Sequence, residues 1–105
     1  MGAFLSAVLS GNSKLAVKVI KELNTDLLEW RDRLEQLVYE ILEDHYGISK
    51  LSYSESQTAK LRELTKLHPL EKFGKVLDYL LKVNRSETAF QMLYILAVLG
   101  VDNVN

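Results

Sequence analysis

Apolar residues recur along most of this chain at intervals of three and four positions, which is the spacing of a helix with one buried face. Six such segments follow one another, separated by short breaks. The apolar positions lie within residues 4–9, 15–23, 27–42, 59–67, 70–81 and 89–99. The chain has only one proline and five glycines, the residues that most often interrupt helices, so we expect helices to dominate the structure.

The last segment, residues 86–100, differs from the others because nearly every position after Thr88 is apolar and a glycine closes it. A helix that is apolar on all sides must be surrounded by other apolar groups. Its length of about 20 Å is well short of the roughly 30 Å of bilayer hydrocarbon, so its surroundings should be protein. We therefore predict that it is the central helix of a bundle.

Residues that typically stop or cap helices stand at the breaks. Gly11, Gly47 and Gly100 each follow an apolar segment, as glycine often follows a helix. Pro69 suits the first helical position of the fifth segment, and Gly74 within that segment either permits a close approach or costs about 1 kcal/mol relative to alanine. The predicted N-terminal caps are Asn12 or Ser13, Thr25, Ser54 in a capping box with Gln57, and Asn84 or Ser86 beside Glu87.

The longest predicted helix covers residues 26–46 and contains the only tryptophan, Trp30. Its apolar residues repeat at alternating intervals of three and four, so one interpretation is a coiled coil that recruits a partner. The other, which a length of only about three heptads favours, is a bundle helix packed inside its own domain. The pairs Glu29–Arg33 and Arg31–Glu35 are expected on its outer faces.

Together these elements predict an all-α fold, a single-domain bundle of five to six helices over residues 1–105 with a buried C-terminal helix. A chain of 105 residues is long enough to bury one core. The polar tail, residues 101–105, is expected to fray.

The net charge of −1 conceals an uneven distribution. Residues 1–21 carry a net charge of +3, residues 22–55 carry −6, and residues 60–85 carry +4. Charged helix faces of this kind usually serve only to expose polar side chains to water. The alternative is that unlike faces meet in a neighbouring copy or a sister subunit, where charge favours register and association rate.

The basic stretch of residues 60–85 also raises the possibility of nucleic-acid binding, which we consider disfavoured. Its lysines fall on several helix faces and three acids dilute them. The isoelectric point of about 6.1 is far from that of a dedicated nucleic-acid binder.

Catalytic and metal-binding signals are sparse. The chain has no cysteine, and its only histidines, His45 and His68, have no second histidine at metal-ligand spacing. No phosphate-binding glycine loop or nucleophile motif occurs. We therefore expect no enzyme activity and no cofactor. The lack of cysteine fits a reducing cytoplasm, and we expect no membrane association.

The order of elements is more informative than any single residue. A short apolar helix is followed by a Gly-Asn break and an alanine-bearing amphipathic helix (residues 4–20), then by the long tryptophan-containing helix, a leucine-rich pair and a final Glu-Thr-Ala-Phe-Gln-Met-Leu helix. This succession resembles the C-terminal helical domain of bacterial DNA polymerase III clamp-loader subunits, the gamma/tau, delta and delta-prime superfamily, over nearly the whole chain.

The resemblance implies a non-catalytic oligomerisation domain that holds sister subunits, or further copies, in a collar during DNA replication. The ATPase modules of that family lie in upstream domains, so this chain would be the C-terminal part of a longer protein. By the same resemblance the subunit contact is expected near Lys72, Lys75, Gln91 and Tyr94. The competing hypothesis is a free-standing helical adaptor or regulator whose seam on the third helix recruits one partner protein.

Overall fold

The structure, a computed structural model, describes residues 1–82 and 89–104, and these residues form six α-helices and no strand. The helices are α1 (Gly2–Ser10), α2 (Ser13–Glu22), α3 (Leu27–His45), α4 (Glu55–Leu67), α5 (Leu70–Lys82) and α6 (Ala89–Leu99). They share one hydrophobic core, so the predicted all-α, single-domain bundle is confirmed. The predicted caps Asn84 and Ser86, with Glu87, lie outside the described residues.

The short first helix lies at the centre of the core. The side chains of Phe4, Leu5, Val8 and Leu9 are each no more than 1% exposed. The Phe4 ring packs edge-on against Trp30 of α3, with the ring centres 5.1 Å apart. Five of the nine residues of this helix are buried, so α1 takes the place in the core that the sequence indicated for α6.

The turn between α1 and α2 confirms the predicted break. Gly11 has a φ of +75°, and its amide bonds the oxygen of Val8 while the Asn12 amide bonds the oxygen of Ala7. This is a Schellman motif, which requires a left-handed residue and therefore favours glycine. The Asn12 side chain then caps α2 by accepting a hydrogen bond from the Leu15 amide at 3.3 Å.

The apolar seam of helix α3 packs against the core of its own domain. The seam residues Trp30, Leu34, Leu37, Val38 and Ile41 are all buried. The bundle-helix interpretation is therefore correct, and the seam has no free surface for a coiled-coil partner.

The N-terminal cap of α3 is Asp26 and not the predicted Thr25. The Asp26 carboxylate accepts hydrogen bonds from the amides of Leu28 at 2.9 Å and Glu29 at 3.4 Å. A carboxylate is also attracted by the positive end of the helix dipole, whereas the hydroxyl of a threonine carries no charge and lacks this interaction.

Arg31 does not lie on an outer face, so that prediction is wrong. Its side chain is 1% exposed, and its guanidinium donates to the main-chain oxygen of Leu80, in the last turn of α5. It also pairs with Asp32 at 2.8 Å and lies 3.7 Å from a Glu35 oxygen. A buried cation is compensated here by carboxylates and by a main-chain oxygen in the last turn of a helix, where the helix dipole is negative.

The C-terminal turn is packed and not frayed. Gly100 ends α6 with a φ of +73°, and the Val101 amide then donates to the Val8 oxygen at 3.2 Å. Val101 and Val104 are buried, at 1% and 8% exposure. This tail, which is mostly polar in sequence, contains two valines that join the hydrophobic core, so the prediction of fraying is wrong for residues 101–104.

Candidate functional site

Helix α6 has two apolar faces, and only one is covered. The covered face consists of Ala89, Met92, Leu93, Leu96 and Ala97, and it packs on α2, α1 and α3. The opposite face carries Phe90, Tyr94, Ile95, Val98 and Leu99, which are each 36–44% exposed. We call this second face, together with Gln91, the α6 ridge.

The sequence prediction that α6 is surrounded on all sides is wrong for this face. Helix α6 packs on α2, α1 and α3 from one side only. An 11-residue helix that is apolar at almost every position then presents half of its circumference outward. A helix of this composition is stable in water only at the cost of exposed apolar surface, so the ridge is the feature of the fold that most needs an explanation.

Two aromatic rings stack at the N-terminal end of the ridge. Phe90 and Tyr94 lie one turn apart, and their rings stack with centres 5.9 Å apart at an angle of 22°. Residues at this spacing face each other on a helix, and such contacts restrict the rotamers of both side chains. A restricted aromatic pair loses little conformational entropy when a partner covers it, which is typical of interface anchors.

The electrostatic surroundings of the ridge are one-sided. Helix α6 contains no charged side chain. Its neighbour α2 carries three lysines and one glutamate, and the two helices are joined by a 2.6 Å hydrogen bond from the Ser13 hydroxyl to the Val98 oxygen. The ridge is therefore an uncharged apolar strip that lies beside a basic helix.

The four residues expected at an interface fall into two groups. Gln91 and Tyr94 both lie on the exposed side of α6. Lys72 and Lys75 lie on α5, where Lys75 is exposed beside Asp78 and Lys82. Lys72 is half-buried, and its Nζ already bonds the Leu9 oxygen at 3.1 Å and Asp102 at 3.2 Å. Of the four, Gln91 and Tyr94 share a surface with exposed apolar residues.

Sequence reasoning missed most of the ridge. It assigned Phe90, Ile95, Val98 and Leu99 to the core because nearly every position of α6 is apolar. The signal that could have identified them is that small residues, Ala89 and Ala97, stand on the opposite face. Small side chains permit close packing of that face on neighbouring helices, and the face that carries them is therefore the one to expect inside.

A second candidate surface is a groove between α1, α3 and α4, with a volume of about 810 Å³. Its lining includes Leu37, Leu61 and Leu64, which are nearly buried, and Leu67, which is 65% exposed. Its charged lining residues are Arg33, Glu40, Lys60 and Glu63. We call this feature the α1–α3–α4 groove; it contains two bases and two acids and is apolar in between.

One polar contact closes an end of this groove. The Tyr53 hydroxyl donates to Glu40 at 2.7 Å. This hydrogen bond to a carboxylate, with partial burial, raises the pKa of Tyr53 to about 12. This hydrogen bond joins the 46–54 loop to α3, so Tyr53 and Glu40 together form one wall of the groove.

Several titratable side chains outside these two surfaces make contacts within the domain. Arg62 donates two hydrogen bonds of 3.0 Å to Asp44 and so lowers the pKa of that carboxyl. Burial, with the neighbouring Lys72, lowers the pKa of His68, while His45 packs edge-on against Tyr46. Within the part of the chain that the structure describes, no three histidine, aspartate or glutamate side chains form a group that could hold a metal ion.

Among residues 1–82 and 89–104, none of the helices combines the length and the apolar composition needed to span a bilayer. No protein-family model matches this chain, and comparisons with curated proteins and with solved structures found no match. The ridge and the groove therefore have to be interpreted from their own chemistry.

Proposed function

We propose that this domain is a non-catalytic protein-interaction module that docks through the α6 ridge. The observation that carries the proposal is the alignment of five large apolar side chains, each 36–44% exposed, on one face of an uncharged helix. Singly exposed apolar residues are normal on protein surfaces, whereas a contiguous strip is typical of a binding surface.

The size of the strip supports an interface of moderate strength. Five side chains exposed to about two fifths present roughly 400 Å² of apolar surface, taking about 200 Å² for each large side chain. Patches of about 300–600 Å² are the largest that monomers usually show, and they are often functional. The partner is expected to present an apolar helix or groove and to leave no buried charge unpaired.

The finer form of the proposal concerns the class of partner. The helix order that resembles clamp-loader C-terminal domains supports a role in oligomerisation with sister subunits, in the cytoplasm, with any nucleotide chemistry in other domains. The adaptor alternative relied on the seam of α3. That seam is buried, so an adaptor would need another surface, of which the α6 ridge is the more apolar.

In-cell photo-crosslinking tests the docking surface whatever protein the partner is. A benzophenone amino acid placed at Tyr94 is expected to give a discrete protein adduct, whereas the same group at Tyr39 is not. Tyr39 is a matched control because it is 38% exposed, against 36% for Tyr94, and lies on α3 outside the ridge.

The adduct at position 94 should disappear when the adjacent ridge residue is changed by Ile95→Glu, since a charge in the contact would have to be desolvated. Adducts of equal yield at positions 39 and 94, or none at 94, would contradict the proposal. Mass spectrometry of the adduct separates the two forms: clamp-loader subunits favour the collar, and an unrelated protein favours the adaptor.

A further inference from the structure

We infer that the α6 ridge of one copy seats in the α1–α3–α4 groove of a second copy, so that the chain associates head to tail. This inference rests on the proposed function, because it names a second copy of this chain as the partner of the ridge. It adds a second docking surface, the groove, that the proposed function does not require.

The first argument is that the two surfaces are complementary in form and independent in position. The ridge is a convex helix face, and the groove is concave with a volume of about 810 Å³. That volume is within the range of about 300–1,000 Å³ typical of sites that enclose apolar ligands. No ridge residue lines the groove, so one copy can offer both surfaces at the same time.

The second argument is the charge of the helices that flank each surface. Helix α2, beside the ridge, has three lysines and one glutamate, a net charge of +2. The two long helices along the groove, α3 and α4, together carry eight acids and five bases, a net charge of −3. Ridge-to-ridge pairing would bring two basic α2 helices together. Ridge-to-groove pairing brings a basic helix toward a net acidic pair of helices, and such complementarity speeds association and disfavours the wrong register.

The pairing has a consequence for assembly. Because the ridge and the groove are different surfaces, a dimer leaves one of each unoccupied, and assembly continues until a ring closes or a filament forms. The chain should therefore exceed a dimer at high concentration, which a symmetric ridge-to-ridge pair cannot do.

Two variants test this arrangement. Tyr94→Glu places a charge on the ridge, and Leu67→Glu places one at the mouth of the groove; both positions are exposed, so the fold should be retained. Tyr39→Glu is the control outside both surfaces. Circular dichroism verifies helical content, and light scattering gives the mass of each protein over a wide concentration range.

We expect the wild-type mass to rise with concentration from 12.0 kDa beyond that of a dimer, and to rise less in 1 M salt. Each variant alone should associate at least tenfold more weakly, while the control behaves as the wild type. An equimolar mixture of the two variants should form a heterodimer and stop there, since one retains its groove and the other its ridge.

Three results would overturn the inference: a wild type that is monomeric throughout, a Leu67→Glu variant that assembles as the wild type does, or a mixture that stays monomeric. A monomeric wild type with a Tyr94-specific crosslink to another protein would remove the inference and leave the proposed function standing. Absence of both would remove both.

Discussion

The Nζ atom of Lys72 lies 3.1 Å from the main-chain oxygen of Leu9, so a lysine of α5 caps the C-terminal end of α1. The same ammonium pairs with Asp102 at 3.2 Å, which fastens the C-terminal turn to the core. A cation at this end of a helix meets carbonyls that lack intrahelical partners and the negative end of the dipole. A residue expected at an interface thus has a structural role.

Lys72→Met should lower the free energy of unfolding by about 1–2 kcal/mol, because the Leu9 oxygen and Asp102 lose a charged donor. Lys75→Met is the matched control on the same helix, and as an exposed substitution it should stay within about 0.5 kcal/mol of the wild type. Urea denaturation measures both. Equal effects would show that the Lys72 contacts contribute nothing.

The structural contacts of Lys72 also determine which lysine can test the predicted subunit contact. A Lys72→Glu variant would disturb folding and association together. Lys75→Glu tests association alone, because Lys75 is exposed and makes no hydrogen bond or ion pair with the described part of the chain. If α5 lies in an interface, Lys75→Glu should weaken assembly without changing the melting temperature.

Arg31→Met should destabilise the domain by about 1–3 kcal/mol, since the buried Leu80 oxygen would lose its charged donor. The apolar stem of methionine replaces much of the packing of arginine, so the measured loss isolates the polar contact. Arg33→Met is the control, because Arg33 is 68% exposed and pairs only at the surface with Glu29. A smaller effect at Arg31 than at Arg33 would contradict this account of the buried guanidinium.

Gly74→Ala should stabilise the domain by about 1 kcal/mol, because alanine favours the interior of a helix. A Cβ at Gly74 would meet no atom within 4 Å, so of the two sequence alternatives no close approach occurs at this position. Thermal unfolding measures the change.

Gly100→Ala provides the contrast for that substitution. Gly100 has a φ of +73°, and an added Cβ would lie 3.4 Å from the Gly11 Cα. A left-handed conformation costs an alanine about 1–2 kcal/mol, so this variant should be less stable than the wild type. Stabilisation at Gly100 would show that the turn can rearrange.

The stability of the domain should fall in acid partly through Asp44. Arg62 lowers the pKa of this carboxyl below its ordinary value of 3.8, so the folded state binds the proton less readily than the unfolded state. The stabilisation is therefore fully present above that ordinary value and is lost as the pH falls through the folded value. Asp44→Asn should unfold with a flatter pH dependence between about pH 5 and pH 2.

The control for this pH dependence is Glu63→Gln, an exposed substitution on α4 that should keep nearly the wild-type slope. Denaturation curves at a series of pH values supply the comparison. An Asp44→Asn variant that loses stability in acid as steeply as the wild type would show that the Arg62 pair makes no contribution.

The features that could be predicted from the sequence are those set by neighbours along the chain. Gly11 and Asn12 mark the first turn because a left-handed residue and a side-chain acceptor are local requirements. Ser54 caps α4 for the same reason, accepting from the Gln57 amide at 3.2 Å. Pro69 was expected to be the first helical residue and lies immediately before α5, a difference of one position.

The sequence by itself therefore determined the helical content, the order of the six described helices and most of their ends, because hydrogen bonds and caps act within a few residues. Only the tertiary structure decided that α1 takes the centre of the core, that Arg31 is buried against Leu80, and that one face of α6 stays exposed. These outcomes depend on which of several apolar surfaces pack together across long separations in the chain. A helix that is apolar at almost every position fits the sequence pattern of a buried core helix and of an interface helix equally well. Only the packing of the helix in the tertiary structure distinguishes the two.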